Sequence, residues 1–163
     1  MARRQARGAA AARVLRRPAL ALLLLGAALL AGAVRADEVG ATPVGLWQTI
    51  SDVDGKPKAL IRIREEQGEY VGVIEHIIEP DKRDKLCEEC PGERHNRPVL
   101  GLKIITGVHR KDGRFGGGEI LDPDNGKVYS CKLTVTGAGQ RLDVRGYIGF
   151  SLLGRTQTWV RKE

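Results

Sequence analysis

Residues 121–136, Leu121-Asp122-Pro123-Asp124-Asn125-Gly126-Lys127-Val128-Tyr129-Ser130-Cys131-Lys132-Leu133-Thr134-Val135-Thr136, read as a turn that feeds a strand. Asn-Gly between two β-like runs is the strongest short-range hairpin signal, because both residues tolerate the backbone that a tight reversal needs. Beyond it Tyr129, Cys131, Leu133 and Val135 fall on one face at period two, as a half-buried strand requires.

The same grammar extends in both directions. Upstream lie Arg114 to Leu121, an Asp112-Gly113 turn, and the runs Gly107 to Arg110 and Val99 to Ile105. Before them come Tyr70 to Ile78 after Gln67-Gly68, then Ala59 to Arg64, where Ala59, Ile61 and Ile63 alternate with Arg62 and Arg64. Trp47 to Ile50 opens the series, and Asp52-Val53-Asp54-Gly55 turns it. Downstream, Gly137-Ala138-Gly139 leads to Leu142, Val144, Gly146 and Ile148, and Thr156 to Arg161 is the last run. Eight or nine strands with turns about every ten residues and no helix predict an all-β sandwich or barrel. An antiparallel meander without edge-protecting devices is best satisfied by closing on itself, so a single barrel is expected and a sandwich is its alternative.

Residues 1–36 stand apart. Six arginines precede the apolar run Ala19 to Leu30, and Val34-Arg35-Ala36 offers an exit of the kind a signal peptidase cuts. The run is too short for the roughly 20 residues of a membrane span. Arg16-Arg17 is followed by a poor twin-arginine context, and no cysteine lies at the exit for lipidation. Cleavage near Ala36 is therefore expected, giving a periplasmic or secreted bacterial protein whose one domain is 37–163, with no transmembrane segment left in it. The net charge of +7 also belongs to this leader. It holds seven Arg and no acid, so the remainder balances 20 basic against 20 acidic residues, and nucleic acid is not an expected partner.

Gly45-Leu46-Trp47 at the first strand and Trp159-Val160-Arg161 at the last look like the lipocalin arrangement, in which a cation from the final strand stacks on the indole and plugs one end of the barrel. Polar residues on presumptive inward faces suggest a cavity: Arg155, Gln157 and Trp159 on the last strand, Arg145 and Tyr147 on the one before. With Trp47 and Arg161 they form the candidate ligand-binding set, suited to a small amphiphilic molecule with an acidic or hydroxylated head. A one-residue slip in register would instead turn Thr156, Thr158 and Val160 inward.

A longer set of residues carries a family resemblance. Gly45-Leu46-Trp47, Gly55-Lys56-Pro57, Cys87-Glu88-Glu89-Cys90, Leu121-Asp122-Pro123 with Gly126-Lys127-Val128-Tyr129, and Arg145 to Gly149 running into Gly154 to Trp159 are similar to the domain of unknown function 2147 family of small secreted bacterial proteins. The resemblance implies a lipocalin-like β-barrel in the bacterial envelope and supplies no catalytic residues.

The stretch Glu79 to Arg97 is polar, aperiodic and long for a compact domain, which marks it as a functional loop or lid and a possible dock for another protein. It holds Cys87 and Cys90. A redox pair would want a helix start, and a zinc knuckle would need His76, His95 or Cys131 as further ligands. In an oxidising compartment a local disulfide is the plainest outcome. Cys131, sharing a face with Leu133 and Val135, reads as a buried thiol, with pairing to Cys87 or Cys90 left open. Asp52 with Asp54 and Asp122 with Asp124 lack the acid a calcium loop needs at its twelfth position and read as turns. No serine lies in a Gly-x-Ser-x-Gly setting, and His76, His95 and His109 have no evident catalytic neighbours. No enzyme, metal or cofactor is expected. The function anticipated is binding of a small, partly apolar ligand inside the barrel, and the alternative is protein docking through the 79–97 loop.

Overall fold

The computed structural model describes residues 41–163, so the expected leader and its cleavage point lie outside the described residues. Eight antiparallel strands follow one another: β1 (Gly45–Ile50), β2 (Pro57–Glu66), β3 (Glu69–Ile77), β4 (Lys103–Lys111), β5 (Arg114–Leu121), β6 (Val128–Thr136), β7 (Arg141–Tyr147) and β8 (Gly154–Arg161). Each pairs with the next, and β8 returns to β1 through Trp47 opposite Arg161, closing the barrel and leaving no edge.

Alternation drives this closure. Ile61 and Ile63 on β2, Cys131 and Leu133 on β6 and Leu142 and Val144 on β7 are all buried, while their sequence neighbours face solvent or the barrel rim. The core continues through Ile74, Ile105, Val108, Leu121 and the edge-to-face pair Tyr70 and Phe115, whose ring centroids are 5.0 Å apart. The short turns at one end are built as the sequence predicts. Gln67 and Gly68 have φ of 54° and 81°, and Asp112 and Gly113 have 50° and 74°, the paired left-handed residues that match a hairpin's twist.

Three sequence readings are made definite by the structure. Of the eight or nine strands expected, eight form, because the runs 99–105 and 107–110 are one strand, β4, that begins only at Lys103. Val99 to Leu102 instead forms a turn held by Ile74 N–H donating to Leu102 O at 3.0 Å and Val99 N–H donating to Lys85 O at 2.9 Å. Within β4, Gly107 marks a bulge against β3, and its N–H donates to the Glu69 carboxylate. The Asn125-Gly126 hairpin forms, but as a wider loop closed by Asp122 N–H to Lys127 O at 2.9 Å, with the Asp122 carboxylate accepting from Asp124 N–H at 2.9 Å and Asn125 Nδ2 at 3.0 Å.

Because strand directions alternate, the connections sort to two ends. The tight turns 67–68, 112–113 and 137–140 share one end with the start of β1 and the end of β8. The longer connections 51–56, 78–102, 122–127 and 148–153 gather at the other.

Candidate functional site

The first of these ends is plugged. Trp47 is fully buried, its indole N–H donates to Pro43 O at 2.7 Å, and the Arg161 guanidinium carbon lies 4.1 Å from the ring centroid. The guanidinium donates further to Val44 O at 2.8 Å and Thr42 O at 3.0 Å, and also to Gly139 O. Arg161 therefore ties the N-terminal approach, the β6–β7 turn and the last strand together across the barrel bottom. Burial pulls its pKa below the ordinary value, yet a guanidinium remains charged throughout the physiological range. Gly45 has φ +145°, and a Cβ there would collide with the Arg161 guanidinium and the Glu163 carbonyl. The Gly-x-Trp spacing has this physical basis: the glycine leaves room for the cation that covers the indole two residues on.

Above the plug lies a cavity of about 650 Å³ that opens at the second end. Its walls are aliphatic, with Ile61, Ile74, Ile77, Ile104, Leu121 and Val144, and Thr49, Tyr129 and Gln157 add polar atoms. Charge is confined to the mouth. On one side Asp124 accepts from Lys85 Nζ at 2.6 Å and Lys58 Nζ at 3.0 Å, and Lys82 pairs with Glu79 at 2.9 Å. Partial burial works to raise the Asp124 pKa, but the hydrogen bonds from Lys85 and Lys58 and their charges outweigh it and hold the carboxyl at about 2. On the other side a polar chain descends into the barrel. Arg155 pairs with Asp52, Asp52 accepts from Gln157 Nε2 at 2.7 Å, and Gln157 Oε1 accepts from the buried Trp159 indole at 3.3 Å.

The loop Glu79 to Arg97 walls the mouth. It is ordered by two short 3-10 turns, Pro80–Lys82 and Gly92–Arg94, by Cys87 N–H donating to Arg97 O at 2.8 Å, and by a Cys87–Cys90 disulfide whose sulfurs are buried. It packs so closely on the 122–127 turn that a Cβ on Gly126 would overlap the Glu89 backbone. Cys131 is a free thiol, fully buried, with its pKa pushed up to about 12 by that burial. Among the described residues no group of three or more His, Cys, Asp or Glu is placed to hold a metal ion.

The residues singled out from sequence are thus divided among three places. Trp47 and Arg161 close the bottom; Arg155 and Gln157 line the cavity, with Trp159 beneath them. Arg145 and Tyr147, however, stand on the outer face of β7. Leu142, Val144 and Gly146 take the inward positions there, opposite Trp159, Gln157 and Arg155 of β8. The Arg145 guanidinium binds the carbonyls of Ser151 and Leu152 and the Thr156 hydroxyl, and Tyr147, which borders the mouth, has Lys132 Nζ 5.3 Å from its ring centroid. For Arg145 the expected inward placement does not hold, because the expectation followed polar side chains, whereas β7 is oriented by its aliphatic ones; Tyr147 reaches the cavity only at its rim. Lys58, Lys82, Lys85, Asp52 and Asp124 went unrecognised: the aspartates also build turns, and Lys58 and Lys85 reach Asp124 from 66 and 39 residues away.

A family model described as an uncharacterized protein conserved in bacteria (DUF2147) matches residues 45–161, the span from β1 to the end of β8. Among solved structures, protein HP1028 from the human pathogen Helicobacter pylori, described as belonging to the lipocalin family, superposes with a TM-score of 0.64. The two are 20% identical, and the match covers 74% of this chain and 82% of that one, a likeness of fold. No curated protein matches.

Proposed function

The chain belongs to the DUF2147 family, and from that premise we propose that it is an exported carrier that takes a small, partly apolar molecule through the open end of the barrel and holds it there without chemical change. The observation that carries this reading is the 650 Å³ aliphatic cavity above a sealed bottom, a volume within the range of known ligand pockets. Each methylene transferred from water into such walls gains about 0.8 kcal/mol, so a chain of roughly eight gains about 6 kcal/mol before the costs of association. The charged rim keeps a polar head at the mouth, where Lys58 and Lys85 each spend one of three N–H donors on Asp124.

Docking of a protein through the 79–97 loop draws less support, since that loop turns its contacts onto the 122–127 turn and the cavity mouth. The test is titration with the fluorescent apolar probe N-phenyl-1-naphthylamine together with native mass spectrometry of the purified protein. Saturable one-to-one uptake is expected, weakened at least about tenfold in Ala59→Trp, which fills the cavity near its mouth. Absence of any uptake overturns the reading.

A further inference from the structure

The most exposed apolar side chains of the barrel cluster at the open end. Ile148, Phe150, Leu152 and Leu153 of the β7–β8 turn are 67, 80, 89 and 79% exposed, and Val53 of the neighbouring β1–β2 turn is 97% exposed. Single exposed hydrophobes need no explanation, but a contiguous apolar patch on a small protein marks a contact surface. The turn is also braced. Arg145 Nε and Nη2 donate to Ser151 O and Leu152 O at 2.8 and 3.3 Å, and Leu153 N–H donates to Phe150 O at 3.0 Å. A fixed shape keeps the apolar tips projecting instead of folding back over the barrel.

Its electrical surroundings select among partners. The sequence has no acid between Asp143 and Glu163. Arg145 and, one strand over, Lys132 share the outer face beside the turn, and neither takes part in an ion pair among the described residues. The acids of the adjacent 51–56 turn are answered locally, Asp52 by Arg155 and Asp54 by Lys56 at 3.4 Å. Tyr147, with Lys132 over its ring, completes the set. Projecting apolar tips, an amphipathic aromatic and unpaired cations just behind them are what a bilayer interface receives: hydrocarbon for the tips, the headgroup layer for the phenol, phosphate for the cations.

We propose that the 148–153 turn docks the barrel, mouth first, on an anionic phospholipid surface, with Phe150 and Leu152 entering the acyl boundary and Arg145 and Lys132 meeting the phosphates. Ile148, Leu153 and Val53 border both the cavity and the patch, so apolar side chains reach from the interior to the lip beside the Arg155–Asp52 pair. On the carrier reading, those side chains give an apolar ligand a route between bilayer and barrel. The docking itself is testable apart from that reading.

The experiment is flotation of the purified protein, its N terminus read by sequencing, with vesicles of phosphatidylglycerol and phosphatidylethanolamine, and with phosphatidylcholine vesicles as the neutral control. The wild type should float with the anionic vesicles and lose most of this in phosphatidylcholine. Phe150→Ser/Leu152→Ser should weaken binding at least about tenfold, and Lys132→Glu severalfold with a reduced dependence on salt. Neither Phe150 nor Leu152 lines the cavity, so the double variant should still take up N-phenyl-1-naphthylamine as the wild type does. Flotation unchanged by the double substitution, or absent in the wild type, overturns the docking while leaving the carrier reading standing. So does a wild-type dimer that the substitutions dissociate, since a second copy would then cover the turn. Loss of probe uptake in the wild type with flotation intact overturns the carrier reading and leaves the docking in place.

Discussion

Gly45→Ala should be far more damaging than a methyl group usually is, and the damage should run through Arg161. At φ +145° an alanine is forced into backbone that is nearly closed to it, a strain of about 1–3 kcal/mol. Its Cβ also displaces the guanidinium from above Trp47, forfeiting a stacking interaction worth about 0.5–2 kcal/mol and weakening charged hydrogen bonds to Val44 O and Thr42 O. A loss of about 3 kcal/mol is expected in all. In urea, with a slope near 2 kcal/mol per molar, that moves the midpoint by roughly 1.5 M. Trp47 and Trp159 are the protein's two tryptophans and both are buried, so fluorescence follows the transition directly. Arg161→Met supplies the decisive second variant. With the guanidinium gone, the alanine still strains its backbone and crowds Glu163 O but no longer displaces a cation, so the double variant should be more stable than the sum of the singles implies by about 1–2 kcal/mol. Additivity within about 0.5 kcal/mol would refute the claim that the glycine exists to seat the arginine.

Three further outcomes follow from the structure. Asp124 titrates at about 2 in the fold against an ordinary 3.8, so its contribution is complete above about pH 4 and disappears as pH falls through 2. Its side chain is 48% exposed, which trims the effect to the order of 1 kcal/mol, and Asp124→Asn should remove that part of the acid destabilisation in denaturation curves at pH 5 and pH 2. Cys131 should resist a thiol reagent such as DTNB at pH 8 in the native state and react on unfolding, and Cys131→Ser should cost about 1–3 kcal/mol by burying an unpartnered hydroxyl, measured by urea melts. Cys87→Ala/Cys90→Ala opens a very short covalent loop and should cost only about 2 kcal/mol, with the thermal transition lowered but still cooperative.

The strands were legible because burial on one face imprints period two on the sequence. Ala59 to Arg64 and Tyr129 to Val135 could be assigned to faces without any knowledge of their neighbours, and the structure agrees. Irregular backbone was not legible. A bulge at Gly107 and a turn at Val99 to Leu102 leave the local composition strand-like, and only the pairing with β3 and the 79–97 loop distinguishes them. The site divides along the same line. Trp47 lies near the start of the first strand and Arg161 ends the last, so closure of an antiparallel meander brings them together. The mouth is assembled from four connections, and nothing local ties Lys58 or Lys85 to Asp124.

β7 and β8 show where polar residues mislead. Both carry arginine at alternating positions, yet Arg155 turns toward the mouth and Arg145 turns outward. On β8 the inward register is set by Trp159, whose burial at the bottom pulls Gln157 and Arg155 onto the same face. On β7 it is set by Leu142 and Val144, which push Arg145 out. Burial of one large apolar side chain outweighs the preference of any solvated cation for either face, so aliphatic and aromatic residues fix the register and polar ones follow it. Arg145 then acquires its role from where it is left: its outward guanidinium braces the carbonyls of the apolar turn that Arg155 borders from the other side. The two arginines thus divide the open end, one on the interior rim and one supporting the lip.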